Sequence, residues 1–293
     1  MSDPLASAAS FQALRPRLFS IAYRMLGIRA DAEDVVQDAW LRWHGADQAA
    51  IASLEAWLVT VTTRLAIDRL RATRADREAY VGWWLPEPLL ELDEHTPERA
   101  VEQASDVSVA FMWVLQRLSP DERAAFLMRQ VFDADYADIA AALGKSAAAC
   151  RQLVHRAQAR VQEERPRFSV ADAEHKALLA GFMRAASQGD MAAMRGMLAE
   201  QATLVADGGG KVNSFRKILH GAGRVAGVFW SLEHQYPRQV AYRAARINGE
   251  AGLLRYVEGK LESAQAFRIE QGRIVAIFII RNPDKLRALP QTL

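Results

Sequence analysis

The spacing of apolar residues predicts that about the first 75 residues are helical. Apolar side chains recur at helical spacing up to Leu26, and Gly27 then ends the segment. The stretch 30–45 predicts a second helix, which Asp31 is placed to cap. A third helix begins near Leu54, so this region is predicted to form a three-helix unit.

A break in the apolar pattern separates this region from a second helical one. Residues 80–102 contain three prolines and many acidic side chains, which indicates an irregular linker. The helical pattern then resumes, and residues 135–161 have the spacing of a helix-turn-helix. Its first helix runs from Asp135 to a stop at Gly144, and Ser146 is placed to cap the second.

Beyond Ala171 the pattern mixes helices and strands. Two helices come first, and a helix at about 221–235 is followed by four strand-like runs. Dipeptides that favour hairpin turns separate these runs, namely Asn248-Gly249, Glu258-Gly259 and Gln271-Gly272. This region is therefore predicted to be an α+β domain in which helices precede a curled antiparallel sheet.

The distribution of charge is more informative than the net charge of +2. Residues 1–169 hold 20 Lys and Arg against 24 Asp and Glu, while residues 170–293 hold 17 against 11. Two windows of the acidic half are basic: five arginines lie between Arg64 and Arg77, and four bases lie between Lys145 and Arg160. Basic helices on an acidic body suit a protein that touches DNA at two places, although charge alone also fits two solvated helix faces.

Features of secreted or membrane proteins are missing from the sequence. The first ten residues lack the basic and apolar pattern of a secretory signal. The longest strongly apolar run, residues 274–280, is far shorter than the roughly 20 residues that span a membrane. The single cysteine, Cys150, fits a reducing compartment, and its place at a helix start favours a small buried filler over a redox role. We expect a cytoplasmic protein with no membrane partner.

The segment Asp207-Gly-Gly-Gly-Lys-Val invites comparison with a phosphate-binding loop, but it does not fit one. That loop needs a glycine, four residues, and then Gly-Lys-Ser/Thr at the start of a helix. Here the glycines are consecutive, and Val212 stands where Ser or Thr is required. Three glycines allow positive φ and the close approach of another chain segment, so we interpret 207–212 as a contact loop.

Several stretches, in the right order and spacing, carry a resemblance to one family. They are "LFSIAYRMLGIRADAEDVVQDAWLRW", "AWLVTVTTRLAIDRLRA" and "LSPDERAAFLMRQVFDADYADIAAALGKSAAACRQLVHRA". The chain resembles bacterial RNA polymerase sigma factors of the extracytoplasmic-function type. The motifs "WLPEPL", "DGGGKV" and "NPDKL" are similar to hallmarks of a subgroup that carries a fused SnoaL-like domain of the NTF2-like fold.

This resemblance implies a fold class and four segments. The expected class is multidomain: an all-α three-helix sigma-2 domain, an all-α helix-turn-helix sigma-4 domain, and a C-terminal α+β NTF2-like cone. The expected bounds are 8–78 for sigma-2, 79–105 for the linker, 106–168 for sigma-4, and 172–293 for the SnoaL-like regulatory domain.

The resemblance also assigns roles to residues. The helix at 31–43 would dock on the β′ subunit of core RNA polymerase through Asp31, Glu33, Asp34, Val35, Gln37 and Asp38. The third helix would contact the −10 promoter element through Arg64, Asp68, Arg69, Arg71 and Arg74. The helix after Ser146 would contact the −35 element through Ser146, Arg151, Gln152, His155 and Arg156. Arginine suits guanine edges and glutamine suits adenine edges in the major groove.

A fused domain implies regulation in cis. The expected contacts lie in the three subgroup motifs: Trp84, Leu85, Pro86, Glu87, Pro88, Asp207, Gly208, Gly209, Gly210, Lys211, Asn282, Pro283, Asp284 and Lys285. The expected partners are core RNA polymerase, through its β and β′ subunits, and promoter DNA. Because the regulator is attached, no separate anti-sigma factor is expected. A small ligand in the C-terminal domain is left open.

Two other readings of the sequence stay open. A one-component regulator would bind an operator through the helix-turn-helix and an effector through its C-terminal pocket, which leaves the first 75 residues without a task. An enzyme would need a base facing an oxyanion partner across a pocket, and no such pair can be placed from the sequence. We therefore predict no catalytic residue, no cofactor and no metal site.

Overall fold

The computed structural model describes residues 4–90, 108–162 and 172–293. The described chain forms two compact units. The first contains the residues up to Glu78 together with 114–162, and the second contains 79–90, 108–113 and 172–293. The predicted linker, residues 79–105, lies partly in the second unit and partly outside the described residues. Residues 79–90 belong to the second unit. Residues 91–105 lie outside the described residues, as do 106–107 and 163–168 of the predicted sigma-4 segment.

The first unit is all helical. Its helices are α1 (Pro4–Leu26), α2 (Arg29–His44), a short 3₁₀ turn (Gln48–Ala50), α3 (Leu54–Ala72), α4 (Arg74–Glu78), α6 (Pro120–Gln130), α7 (Tyr136–Leu143) and α8 (Ala147–Gln162). Helix α5 (Val109–Leu115) is shared, because its residues up to Trp113 belong to the second unit and the last two to the first. A single apolar core runs through both helical modules, since Leu18 and Leu58 of the first cluster with Met128 and Ile139 of the second.

Helix ends in this unit follow local signals with one exception. Gly27 has a positive φ after α1, Gly144 is left-handed after α7, and Ser146 Oγ accepts a hydrogen bond from Ala149 N before α8. The prediction that Asp31 caps α2 is wrong. The helix begins two residues earlier with Ile28 as N-cap, because the Asp31 carboxylate is engaged by Arg69 on α3.

The second unit contains a six-stranded sheet covered by helices. The helices are α9 (Asp172–Ser187), α10 (Met191–Met197), α11 (Ala222–Gln235) and α12 (Pro283–Leu286). The strands are β1 (Leu198–Asp207), β2 (Leu219–His220), β3 (Val240–Ile247), β4 (Glu250–Val257), β5 (Lys260–Glu270) and β6 (Arg273–Ile280), in the order β2-β1-β6-β5-β4-β3.

The sheet is mixed, which corrects the prediction of an antiparallel sheet. Strand β1, which the sequence pattern did not separate from the glycine loop, pairs in parallel with β6. Between β1 and β6 the chain passes through α11 and a meander of three strands, and this long connection allows parallel pairing. The three hairpins were predicted correctly, since Asn248, Glu258 and Gln271 all have positive φ, as do the glycines that follow them.

The two faces of the sheet carry different cores. One face packs against helices α9 to α11 through a cluster that includes Phe182, Phe229 and Phe267. The other face packs against chain segments from outside the C-terminal region, since Leu85 and Val109 cluster there with Phe278. Within the described part of the chain, no helix is long and apolar enough to cross a membrane.

A pair of glycine substitutions tests the turn geometry. Gly249→Ala is expected to destabilise the protein by about 1–2 kcal/mol, because its φ of 81° forces a left-handed conformation on an L-residue. Gly227→Ala is expected to stabilise it by about 1 kcal/mol, because Gly227 lies inside α11 with open space around its Cα. The midpoints of urea unfolding should shift in opposite directions, and shifts of the same sign would contradict the turn assignment.

Candidate functional site

A buried ion pair joins the end of β1 to the C-terminal helix. Asp207, the last residue of β1, is fully buried, and its Oδ2 lies 2.7 Å from Lys285 Nζ on α12. The same oxygen accepts a hydrogen bond from Leu85 N at 2.9 Å, and Lys285 Nζ donates to Leu85 O at 2.5 Å. The ion pair thus binds both polar groups of one residue in the segment 79–90.

Aromatic residues of the same segment complete the arrangement. The Tyr80 hydroxyl donates to Asp207 Oδ1 at 2.5 Å and accepts from Asn282 Nδ2 at 2.9 Å. Burial and the Asp207 carboxylate raise the pKa of Tyr80, so this hydroxyl stays a donor. Lys285 Nζ lies 4.0 Å from the centre of the Trp84 ring, which adds a cation–π contact. We call Tyr80, Leu85, Asp207, Asn282 and Lys285 the linker clamp.

The glycines after Asp207 let other chain segments approach closely. Gly209 and Gly210 have φ of 60° and 71°. A Cβ on Gly209 would lie 2.3 Å from Asn282 Nδ2, and one on Gly210 would lie 3.1 Å from Val81 Cβ. Gly208 is also crowded, since a Cβ there would lie 2.5 Å from Val212 O. Larger residues would therefore push the loop away from the linker clamp.

The remaining predicted regulatory residues surround the linker clamp or lie on its exposed side. Lys211 forms an exposed ion pair with Asp284 on α12, and Pro283 is the first residue of that helix. Pro86 and Pro88 are buried, and Glu87 is half-buried. The structure thus brings the three motifs together. Of the two charged residues that flank the three glycines, Lys211 is exposed, whereas Asp207 is buried against Lys285.

In the first unit, the predicted DNA-binding arginines of α3 and α4 bind carbonyl or carboxylate oxygens of the protein. Arg64 donates through Nε to Ala142 O at 3.1 Å and through Nη2 to Ala141 O, both on α7. Arg71 forms ion pairs with Asp68 and with Asp121 on α6, the latter at 2.7 Å. Arg69 binds Asp31 and Asp34 on α2. Arg74 pairs with Glu78 in its own helix.

Two arginines, the buried Arg123 and the partly buried Arg77, join the helical modules, and the sequence reading did not single them out. Arg77 Nη1 and Arg123 Nη2 both donate to Gln116 Oε1, at 2.7 and 3.1 Å. They also donate to the last carbonyls of α1, Leu26 O and Met25 O respectively. Burial, with the charge of Arg77, lowers the pKa of Arg123 to about 9, and burial lowers that of Arg77 to about 10. Two like charges are therefore held together at this junction.

The predicted polymerase-binding helix α2 presents a polar face, and one of its predicted contact residues is buried. Gln37 and Asp38 are exposed, and Glu33 pairs with Arg29. Val35 is buried in the helical core with an exposure of 3%, so it does not lie on this exposed face, and its contact with a partner stays a prediction. Its place on the apolar stripe of α2, between Ala32 and Ala39, gave this signal in the sequence.

Helix α8 presents the predicted base-reading residues on one exposed face. Arg151, Gln152 and His155 are exposed, and the Arg151 guanidinium lies 5.2 Å from the centre of the Tyr136 ring. Arg156 is also exposed, but its Nε pairs with Glu122 Oε1 at 3.3 Å. Ser146 caps the helix through its side chain, which assigns it a structural task. Cys150 is buried, as expected for a small filler.

Comparisons with known proteins agree on one family. The family model for Sigma-70 region 2 matches residues 11–76, and that for Sigma-70, region 4 matches residues 109–161. The chain is 38% identical to the ECF RNA polymerase sigma factor SigJ of Mycobacterium tuberculosis, over 96% of this chain and 94% of the relative. It is 30% identical to the probable ECF RNA polymerase sigma factor SigI of that species, over 98% and 96%.

A solved structure supports the same comparison. The crystal structure of M. tuberculosis SigJ matches with a TM-score of 0.80 and 35% identity, over 97% of this chain and 100% of that chain. The match spans both helical modules and the C-terminal α+β domain, so the expected fold class is confirmed.

Removal of one charge from the linker clamp is expected to be costly. Asp207→Ala leaves Lys285 buried without its carboxylate, which typically costs about 3–5 kcal/mol. Lys211→Ala, the matched control, removes a solvent-exposed pair and should cost less than about 1 kcal/mol. Urea unfolding and limited proteolysis within residues 79–90 measure the two effects, and equal shifts would contradict the role of the buried pair.

Proposed function

The chain belongs to the extracytoplasmic-function RNA polymerase sigma factors. We propose that its C-terminal domain regulates it in cis. In this proposal, the domain acts by holding the linker between the two DNA-binding modules. As a sigma factor it is a non-enzymatic initiation factor that binds core RNA polymerase and directs it to promoters. The open points are how its DNA-binding residues are controlled and by what.

Coverage of α3 is the observation that carries the proposal. In the first unit, Arg64 is bound to carbonyl oxygens of α7 and Arg71 to a carboxylate of α6. A guanidinium that is bound to protein oxygens is not available to phosphate oxygens of the −10 element. The two modules therefore have to separate before α3 can bind DNA, and the described arrangement is a closed state.

The linker between the modules is held by the second unit at both of its ends. At one end, Leu89 N donates to Asn248 Oδ1 at 3.0 Å, and Leu89 O accepts from Asn248 N at 2.8 Å. At the other end, the Trp113 and Phe278 rings lie 5.6 Å apart, and Val109 is fully buried on the same face of the sheet. The linker clamp adds the ion pair around Leu85.

Holding both ends limits how far the modules can separate. A free chain of residues 79–113 could extend over roughly 120 Å. When both ends are bound to one sheet, most of that reach is lost. Because the C-terminal domain is attached, its effective concentration is on the order of millimolar, so a modest loss of binding free energy is enough to open the linker.

Attached regulation also bears on the partners. We propose that the exposed acids of α2 dock on the β′ subunit of core polymerase, that the second module contacts the β subunit, and that no separate anti-sigma factor is required. The polar face that includes Gln37 and Asp38 supports the first contact, since acidic surfaces suit a basic helical partner. The protein would act in the bacterial cytoplasm, where the polymerase is.

Run-off transcription with core polymerase tests the regulation. Asp207→Ala is expected to raise transcription about threefold or more when the factor is limiting, because it shifts the population toward the open state. Lys211→Ala should match the wild type, since its ion pair lies outside the linker clamp. A point change is preferable to deletion of the domain, which would expose Leu85 and Val109 to water. If Asp207→Ala leaves transcription unchanged or abolishes it while the protein stays folded, the proposal is wrong.

A charge reversal on α2 tests the contact with polymerase. Asp38→Arg is expected to weaken binding to core enzyme about tenfold, because it places a cation where a basic partner docks. Glu200→Arg, which is exposed on β1, makes the same charge change away from α2 and should bind normally. Copurification with core enzyme measures both. If Asp38→Arg binds core enzyme as tightly as the wild type does, the proposed contact through α2 is wrong.

A further inference from the structure

One buried acid of α6 lies beneath two exposed arginines of α8. Glu122, in the first turn of α6, has an exposure of 6%. Its Oε1 accepts a hydrogen bond from Arg156 Nε at 3.3 Å, and its Oε2 accepts one from Arg160 Nη1 at 2.9 Å. The side chains of the two arginines are 56% and 52% exposed. We call Glu122, Arg156 and Arg160 the Glu122 cluster.

The capping box of α6 accounts for only part of this arrangement. Ser119 Oγ accepts from Glu122 N at 3.3 Å, and Glu122 Oε2 accepts from Ser119 N at 3.1 Å and from Ser119 Oγ at 3.0 Å. These bonds are all that a cap requires. They explain neither the burial of the carboxylate nor its two guanidinium partners. Glu122 therefore joins α6 to α8 in addition to capping α6.

Glu122 is ionised although it is buried. Burial alone would raise the pKa of Glu122, but the hydrogen bonds from Ser119, the charge of Arg160 and the hydrogen bond from Arg156 outweigh it and lower that pKa. The carboxylate binds two like charges that lie one turn apart on α8 and would otherwise repel each other. The Glu122 cluster keeps one net positive charge, which favours an anionic partner.

The place of the two arginines along α8 indicates which part of DNA they meet. Gln152, Arg156 and Arg160 follow one another at intervals of four residues, so they lie along one stripe of the helix. In a helix-turn-helix, residues near the start of the second helix contact base edges in the major groove. Arg156 and Arg160 lie in the second half of α8. Most hydrogen bonds between proteins and DNA go to the backbone, so phosphate oxygens are the expected partners of these two side chains.

Binding to Glu122 leaves both arginines able to bind phosphate. A guanidinium has five N–H donors, and each arginine uses one of them for Glu122. These bonds join two helices of one module, so they persist when the modules separate, unlike the bonds from Arg64 to α7. An exposed arginine loses rotamer freedom when it binds a phosphate, and a guanidinium that is already held loses less.

From this geometry we propose that Glu122 is a positioning residue for DNA binding. It holds Arg156 and Arg160 in the orientation in which both bind phosphate oxygens beside the −35 element. Glu122 acts only through the two arginines, because its carboxylate is buried beneath them. This inference rests on the predicted contact of α8 with the −35 element and does not depend on regulation in cis.

Binding of the holoenzyme to labelled duplex DNA tests the positioning. The full-length chain with core polymerase first selects a duplex from a random library, and fluorescence anisotropy then measures the affinity of each variant. Arg156→Ala with Arg160→Ala is expected to weaken binding and to lower the slope of log K against log salt by about two, because two phosphate contacts are lost. Glu122→Gln, which keeps the size of the side chain and one acceptor oxygen, should weaken binding about fivefold.

Two further variants separate positioning from bulk charge. In the background that lacks both arginines, Glu122→Gln should change the affinity less than about twofold, because it acts only through them. Asp138→Asn, the matched control, removes an exposed acid from α7 in the same module and should bind like the wild type. Urea unfolding checks that each variant is folded under the conditions of the binding assay.

Three results would overturn the proposal. If Glu122→Gln binds DNA as tightly as the wild type or more tightly, the carboxylate only caps α6 or neutralises the arginines. If it causes the same loss in the background without the arginines, it acts through the fold of the module. If the arginine changes leave the affinity and the salt slope unchanged, the predicted contact of α8 with DNA is wrong, and the positioning role fails with it. Regulation in cis is tested separately by Asp207→Ala.

Discussion

The architecture of the second unit depends on the burial of one ion pair. A charge taken out of water needs every available partner, and Asp207 and Lys285 obtain theirs partly from the linker. Leu85 supplies both its N–H and its carbonyl group, and Tyr80 supplies a hydroxyl. Without this segment two buried charges would lose hydrogen bonds, so the segment behaves as part of the domain. Because a buried ion pair adds little net stability, we expect the pair of Asp207 and Lys285 to act mainly by binding the segment 79–90 specifically.

Local features of this fold could be predicted from the sequence, because they depend on neighbouring residues. The turn after α1, the start of α8 and the three hairpins are each set by residues at that place. These residues are Gly27, Ser146 and the three hairpin dipeptides. Contacts between distant residues could not. Asp207 beside three glycines is typical of an exposed turn, and only Lys285, 78 residues later, explains its burial. Asp31 fails as a cap for the same reason, since Arg69 on another helix engages its carboxylate.

The candidate site shows the same division. The three motifs could be linked by resemblance, but Tyr80, which closes the linker clamp, lies just before "WLPEPL" and was not singled out. The ion pairs of Glu262 with Arg255 and Arg281 were also missed, because only the sheet register and its bulge bring these residues together. Charge counts along the sequence cannot show that two arginines share one glutamate.

In the closed state that we propose, Arg64 and Arg71 of α3 bind protein oxygens in place of the phosphate oxygens of DNA. Carbonyl groups of α7 accept hydrogen bonds from Arg64, as phosphate oxygens would. At Arg71, the Asp121 carboxylate occupies the position that a phosphate would take. Opening therefore exchanges one set of hydrogen bonds for another. At the same junction, Arg77 and Arg123 both donate to Gln116 Oε1, so two like charges share a single amide oxygen.

The distance in sequence between Leu85 and Lys285 has a consequence during protein synthesis. Their hydrogen bond joins positions 200 residues apart, so the segment 79–90 leaves the ribosome well before its partner is made. At about 5–20 residues per second, this interval lasts roughly 10–40 s. In the later part of that time, after residue 162 has been made, both helical modules are complete and their linker is unbound. If the C-terminal domain regulates the chain as proposed, a nascent or prematurely terminated chain is a sigma factor without its regulator.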